Sequence, residues 1–480
     1  MWQPVLMISG YFISVLGLAM LFPAAVDIYY TGNGWSHFFT SAIISLFLGL
    51  SLFLANRSKI EKITLRQGYL LTVISWFSIA FLAAFPFLLY GVCDNLADAV
   101  FEATSGISTT GATILTDIDN APAAILFWRS LLNGLGGVGI VVFAVALLPF
   151  LGIGGMQIFQ RENSDFNDKV LPKISYIAKR IIVVYVVLLA LSIIGLKAVG
   201  MDWFNAVNHA LSAVSTGGFS TKTASVGYFD SLPIEIVLMI TMIAGSLPLT
   251  WYLVILRRTE TSSFRTAQVP FFLKVLAFYI LTTAIWLTVI GKYDFAQALR
   301  YASFNIISIT TSTGFSSTDY MLWGAFAQSA FIVFALTGGC TGSTTGAIKA
   351  FRWQVIFAYL KKSFVTATEP NRVMPVKVAG LPVDGGIINS VFIFVSSFIF
   401  SIVILSLLLA LTGLDLTTAF SGIVGCITNA GPGVGNIIGP AGSFQPLSDT
   451  AKWICSFAML LGRLEVLTVI VVFTRSFWKK

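Results

Sequence analysis

The chain has 480 residues, 56% of them apolar, 14% aromatic and only 10% charged, where an ordinary soluble domain carries about 25% charged residues. That excludes a disordered chain and a water-soluble globule. The net charge of +8 would suggest nucleic acid in a soluble protein. Here the basic residues are read loop by loop as determinants of membrane orientation, and no nucleic-acid partner is expected.

In chain order, apolar runs that fill the roughly 20 positions a helix needs to cross a bilayer occupy 4–30, 36–55, 66–92, 122–150, 175–200, 231–257, 268–290, 324–360, 387–413 and 447–477. They predict ten spans of an all-α integral membrane protein. The first run, Pro4 to Tyr30, has no basic lead and exceeds a secretory h-region, so it reads as a retained span. The eighth is too long for one span and is broken from Thr337 to Gly346 (TGGCTGSTTG), a composition that cannot hold a straight helix.

Loop charges alternate. Arg57, Lys59, Lys62 and Arg66 follow the second span, Arg161, Lys169, Lys173, Lys179 and Arg180 the fourth, and Arg257, Arg258 and Arg265 the sixth. Arg352, Lys361, Lys362, Arg372 and Lys377 follow the eighth, and Arg475, Lys479 and Lys480 the tenth. The other side holds Lys197, Lys222, Lys292, Arg300 and Lys452. The imbalance predicts that both termini are cytoplasmic.

Four half-apolar segments on the opposite side are too short to span: Asp98 to Thr110, Asp202 to Thr216, Asp294 to Thr313 and Asp415 to Ala430. Each starts with an Asp able to cap a helix. Each ends in a glycine turn: Thr109-Thr110-Gly111-Ala112, Ser215-Thr216-Gly217-Gly218, Ser312-Thr313-Gly314-Phe315 and Asn429-Ala430-Gly431-Pro432. Their glycines lie 106, 97 and 117 residues apart, which predicts four repeats of span, re-entrant half-helix and span around a central pore. The expected units are an N-terminal helix pair, 1–65, and repeats 66–160, 161–265, 266–375 (with the broken helix) and 376–480.

Non-helical backbone at membrane depth survives where it lines a watery path or is buried in protein. A half-helix entering from outside aims its partly negative C-terminal end at the membrane centre, which favours a cation. Glycine permits φ > 0, so carbonyl oxygens can turn inward and replace an ion's hydration shell. Thr110, Gly111, Thr216, Gly217, Thr313, Gly314, Ala430 and Gly431 are therefore the expected lining of a site for a large monovalent cation. Gly338, Gly339, Gly342, Ser343 and Gly346 of the broken span and Arg463 of the last span are the expected gate.

These turns, with Gly136-Gly137-Val138-Gly139-Ile140, Pro149, Gly154-Gly155-Met156-Gln157, Gly338 to Thr344 and Gly462-Arg463-Leu464-Glu465, resemble the Trk/Ktr/HKT superfamily of cation transporters over nearly the whole chain. The N-terminal pair resembles the bacterial Trk type rather than the shorter Ktr type. Thr345-Gly346-Ala347 and Ser246-Leu247-Pro248 depart from the family's usual glycine-richer and more polar stretches. The resemblance implies K+ uptake across a bacterial inner membrane, a homodimer within membrane lipid, and gating by a TrkA-like cytoplasmic nucleotide-binding ring. It implies no enzyme activity and no cofactor beyond the transported K+. A proton- or sodium-coupled transporter is the alternative, with His209 the one titratable group placed for it.

Other residues carry two readings each. Gly134 to Gly139 matches a dinucleotide fingerprint literally, but in a spanning helix close packing explains it better. Arg129 either snorkels to the interface or caps the first half-helix. Arg463 is expected mid-span, as a barrier charge or a partner of Glu465, although i and i+2 do not share a helix face. Lys349 either faces the pore or begins an inner loop. Asp94, Asp98, Glu102, Asp117 and Asp119 form either a cation-concentrating rim or ordinary solvated charge. Cys93, Cys340, Cys426 and Cys455 have no metal-type spacing and read as small buried residues.

Overall fold

The computed structural model describes residues 2–30, 32–57, 63–146, 170–257, 264–435 and 437–479. Pro149, Gly154 to Gln157 and the basic residues Lys59, Lys62, Arg161, Lys169, Arg258 and Lys480 lie outside them.

Among the described residues, seven helical stretches are long and apolar enough to cross a membrane: Trp2–Tyr30, Trp35–Ala55, Leu65–Tyr90, Ala123–Val141, Ala178–Ala198, Ala267–Val289 and Gly385–Ala410. The chain is an all-α, multi-pass membrane protein. The first stretch is α1 (Trp2–Ala19) followed by α2 (Leu21–Tyr30), and it packs on α3 (Trp35–Ala55). Glycines make that contact close: a Cβ on Gly10 would fall 2.6 Å from the Gly49 carbonyl oxygen, and one on Gly49 would fall 2.5 Å from Ser14 Oγ. Small residues substitute here for a hydrophobic driving force that lipid cannot supply between helices.

The other three expected spans are interrupted. Residues 231–257 form Leu232–Ser246 and Leu249–Arg257, 324–360 form Ala325–Thr337 and Ala350–Thr368, and 447–477 form Asp449–Arg463, Leu467–Val472 and Arg475–Trp478. Only the second break was legible as a run of small residues. The first falls at Leu247-Pro248, where Pro248 disfavours helical backbone in the residue before it and Leu247 is extended (ψ 155°). The last falls at Glu465, which adopts φ 59°. Arg463 is therefore the final residue of a helix that breaks within the expected span, rather than an interior residue of a continuous helix.

Four shorter helices, Leu96–Ile107, Trp203–Val214, Phe295–Thr310 and Leu416–Ile427, are the half-helices. Asp202, Asp294 and Asp415 cap theirs through the side chain. The first is capped instead by Asn95, which accepts from the Asp98 N–H. Asp98 sits inside that helix.

Candidate ion site

All four half-helices end alike. Thr109, Thr216, Ser312 and Asn429 adopt φ of 55°, 53°, 55° and 54°, a left-handed cap usually taken by glycine. The next residue donates its N–H to a carbonyl five positions back: Thr110 to Ser105 (2.8 Å), Gly217 to Ser212 (2.7 Å), Thr313 to Ser308 (2.8 Å) and Ala430 to Gly425 (3.0 Å). A glycine follows with φ of 80°, 74°, 89° and 84° at Gly111, Gly218, Gly314 and Gly431. In the second turn the geometry thus falls one residue later than the sequence suggested. Thr216 occupies the position of Thr109, Gly217 that of Thr110, and Gly218 that of Gly111.

In this register the four turns close a ring. A side chain on Gly111 would strike the carbonyl oxygen of Gly217, one on Gly218 that of Thr313, one on Gly314 that of Ala430, and one on Gly431 that of Thr110. Each glycine is required twice over, by its φ and by the carbonyl beside it. The helix ends supply negative partial charge, and four crowded carbonyl oxygens offer hard, uncharged ligands suited to a monovalent cation. Asn429, not singled out from sequence, ties the ring together by donating to Thr110 Oγ1 (3.0 Å) and to the Met459 carbonyl (2.9 Å). On one side of the ring lies a cavity of about 70 Å³ that Gly111, Gly218, Gly314 and Pro432 help to line.

The break from Gly338 to Lys349 is a buried loop held against the half-helix ends. Thr344 Oγ1 donates to the carbonyls of Val214 (3.1 Å) and Gly245 (3.0 Å), and accepts from Thr216 Oγ1 (3.2 Å). The Gly346 N–H donates to Ser312 Oγ (2.9 Å), and a Cβ on Gly346 would strike the Thr428 carbonyl. Leu247-Pro248 explains itself here: the Cys340 N–H donates to Ser246 O (2.9 Å) and the Leu249 N–H to Gly342 O (3.1 Å), so the broken span gives its freed backbone groups to the loop. Gly338 and Gly342 take φ of 72° and 84°. Gly339 packs on Thr345 and on the Ser246 carbonyl, and Ser343 Oγ donates to Cys340 O (2.6 Å).

Arg463, 4% exposed, donates from Nη1 to Thr344 O (2.7 Å) and from Nη2 to Gly136 O (3.2 Å). It joins the loop to the fourth span. Glu465 does not pair with it. Glu465 instead holds Lys349 (2.9 Å) and Arg352 (2.6 Å), and Arg352 lies 3.6 Å over the Phe394 ring. Lys349 is consequently buried and paired, neither pore-facing charge nor the start of a solvated loop.

The outer acids divide. Glu102 is buried against Arg129 Nε (2.7 Å) and accepts from Thr113 Oγ1 (3.0 Å) and the Ile114 N–H (3.0 Å). Arg129, 1% exposed, also donates to Ser220 O (3.0 Å) and Thr113 Oγ1 (3.1 Å) and stacks 4.1 Å from the Phe219 ring. It neither snorkels nor caps. Asp98 is buried against Lys452. Asp119 is exposed and pairs with Lys222 (3.3 Å), with Thr223 and then Lys222 holding its carboxyl below the usual carboxylate range. Only Asp94, Asp117 and Asp119 of the supposed rim are exposed. His209 is buried with both ring nitrogens engaged, Nδ1 to Asn205 O (2.9 Å) and Nε2 to Ser220 Oγ (3.0 Å). Gly134 and Gly136 of the fourth span serve packing: a Cβ on Gly136 would strike the Ile107 carbonyl, and one on Gly134 would meet Leu211 at 2.9 Å. All four cysteines are buried and none is in a disulfide.

Residues 34–480 match the model of the TrkH family, described as cation transport proteins. The chain is 37% identical to the Trk system potassium uptake protein TrkI of Halomonas elongata, across 100% of this chain and 97% of that protein. It is 33% identical to the Trk system potassium uptake protein TrkG of Escherichia coli, across 98% and 97% respectively. The crystal structure of the potassium transporter TrkH from Vibrio parahaemolyticus superposes over 100% of both chains with a TM-score of 0.92 at 30% identity.

Proposed function

The chain belongs to the TrkH family of cation transport proteins, and from that premise we propose that it carries K+ inward across a bacterial inner membrane. The ion's hydration shell is replaced at the ring of Thr110, Gly217, Thr313 and Ala430 carbonyls. Relatives named as potassium uptake proteins support the choice of ion. The observation that carries the reading is the closed cycle of glycine against carbonyl through all four turns, which four independent surface turns have no reason to form.

The loop from Gly338 to Lys349 and Arg463 form the gate below the ring. Loop backbone fills space next to the half-helix ends. The fixed charge of Arg463 raises the energy of a passing cation by about 1 to 4 kcal/mol at about 4 Å, for effective dielectrics of ~80 to ~20. Opening requires the loop to release Thr344 and Gly346. A TrkA-like cytoplasmic nucleotide-binding ring supplies that work from the basic face, where both termini lie, and the working unit is a homodimer. Coupling to protons is the weaker reading, because both nitrogens of His209 are occupied within the protein.

Rubidium uptake into proteoliposomes, with K+ or Na+ as competitor, tests this. Gly111→Ser, Gly218→Ser and Gly314→Ser reduce the preference for K+, whereas Gly385→Ser, at a position with open space for a side chain, does not. Unchanged preference in all three ring variants contradicts the assignment.

A further inference from the structure

A cavity of about 220 Å³ lies between the N-terminal helix pair and the first repeat, walled by Leu16, Leu71, Trp76, Ile107 and Leu135 among others. It forms where α1 packs on α3 and on Leu65–Leu82, while α2 packs on the Ala123–Ala146 helix. The two hydroxyls in the wall are already satisfied: Thr72 Oγ1 donates to Gly68 O (2.8 Å), and Ser75 Oγ bonds Ser9 Oγ (2.9 Å). Nothing there calls for water, which needs two or more polar partners to occupy a cavity.

Its mouth faces lipid. Phe12 and Val15, which border it, are each 40% exposed on a helix that crosses the bilayer. Its depth is that of the membrane interior, since Ile107 ends a 12-residue half-helix that descends about 18 Å at ~1.5 Å per residue. An empty apolar void forfeits the dispersion contacts of its lining, and apolar cavities of about 150 Å³ already take up benzene-sized ligands.

We propose that this cavity is a lipid site, occupied by an acyl chain of a bilayer phospholipid that inserts past Phe12 and Val15 against Trp76 and Gly139. Gly139 carries the inference furthest, because among the described residues a Cβ there would meet only Trp76, at 4.0 Å. A glycine in a spanning helix that packs against no backbone leaves room for a ligand instead.

The test uses the full chain in bilayers containing phosphatidylcholine with a photoactivatable diazirine on the acyl chain, with labelled residues mapped by mass spectrometry. Labelling at Trp76, Ile79 and Leu135 exceeds that at Phe278 and Ile285, which are lipid-facing at 62% and 54% exposure. Gly139→Leu and Leu135→Phe, which fill the cavity, each lower the cavity labelling several-fold and leave the label at Phe278 unchanged. Cavity labelling no stronger than at Phe278 in the parent, or unchanged in whichever filled variant folds, overturns the proposal. The readout is labelling and not transport, so it stands or falls apart from the K+ pathway.

Discussion

Arg463 holds Thr344 by its backbone: Nη1 donates to the Thr344 carbonyl oxygen at 2.7 Å while Nη2 reaches Gly136 O at 3.2 Å. The same threonine donates its hydroxyl to Val214 O and Gly245 O. One arginine therefore fixes the loop that lies against three of the four half-helix ends, and secures it to the Ala123–Ala146 helix.

Removing that latch favours the open loop. A hydrogen bond from a charged donor contributes about 1.5–3 kcal/mol, so Arg463→Ala shifts the loop equilibrium by roughly 10- to 100-fold. Partner-free proteoliposomes containing Arg463→Ala, or lacking Gly342 to Gly346, take up rubidium faster than the parent. If both variants fold and neither conducts faster, the loop and the arginine are structural only.

Glu465 is a counter-charge shared by two buried cations, Lys349 at 2.9 Å and Arg352 at 2.6 Å. Breaking a buried pair by removing one partner costs about 3–5 kcal/mol. Glu465→Gln lowers the melting temperature in detergent, and Lys349→Met added to it recovers part of the loss. A melting temperature equal to the parent's contradicts a buried, fully ionised cluster.

At Arg129 the guanidinium serves Glu102, Ser220 and Thr113 at once, a forked geometry that an ammonium cannot reproduce. Arg129→Lys weakens K+ preference over Na+ nearly as much as Arg129→Ala, because Thr113 and Ile114, which leave the first turn, lose their anchor. Full recovery of preference in the lysine variant would show that only the charge matters.

The second turn separates two neighbouring glycines. Gly218 has φ 74° and faces the Thr313 carbonyl, whereas Gly217 is not among the glycines of positive φ and the nearest atoms to a Cβ there belong to the Asn133 side chain rather than to backbone. Gly218→Ala abolishes K+-selective uptake, and Gly217→Ala retains a measurable part of it. The reverse order refutes the register of the ring.

The half-helices and their glycine turns were legible because capping residues, short apolar length and small-residue turns are local signals. The one-residue offset at Ser215-Thr216-Gly217-Gly218 was not, since either glycine satisfies a local turn and ring closure with Thr313 decides between them. Asp98 looked like a cap because Asn95 and Asp98 are both capping types, and only the fold shows Asp98 turned to Lys452. The pairing of Glu465 with Lys349 spans 116 positions, beyond any rule based on i,i+4 spacing. The break at Leu247-Pro248 showed one signal, its proline, and the break at Glu465 showed none.

The most direct measurement of the central claim is anomalous scattering from crystals soaked in rubidium. The account predicts a peak within coordination distance of the Thr110, Gly217, Thr313 and Ala430 carbonyl oxygens. Because the four turns differ in sequence, it predicts fewer ordered sites along the axis than four identical turns would give. A map with no rubidium at that ring, or with four equivalent stacked sites, would contradict it.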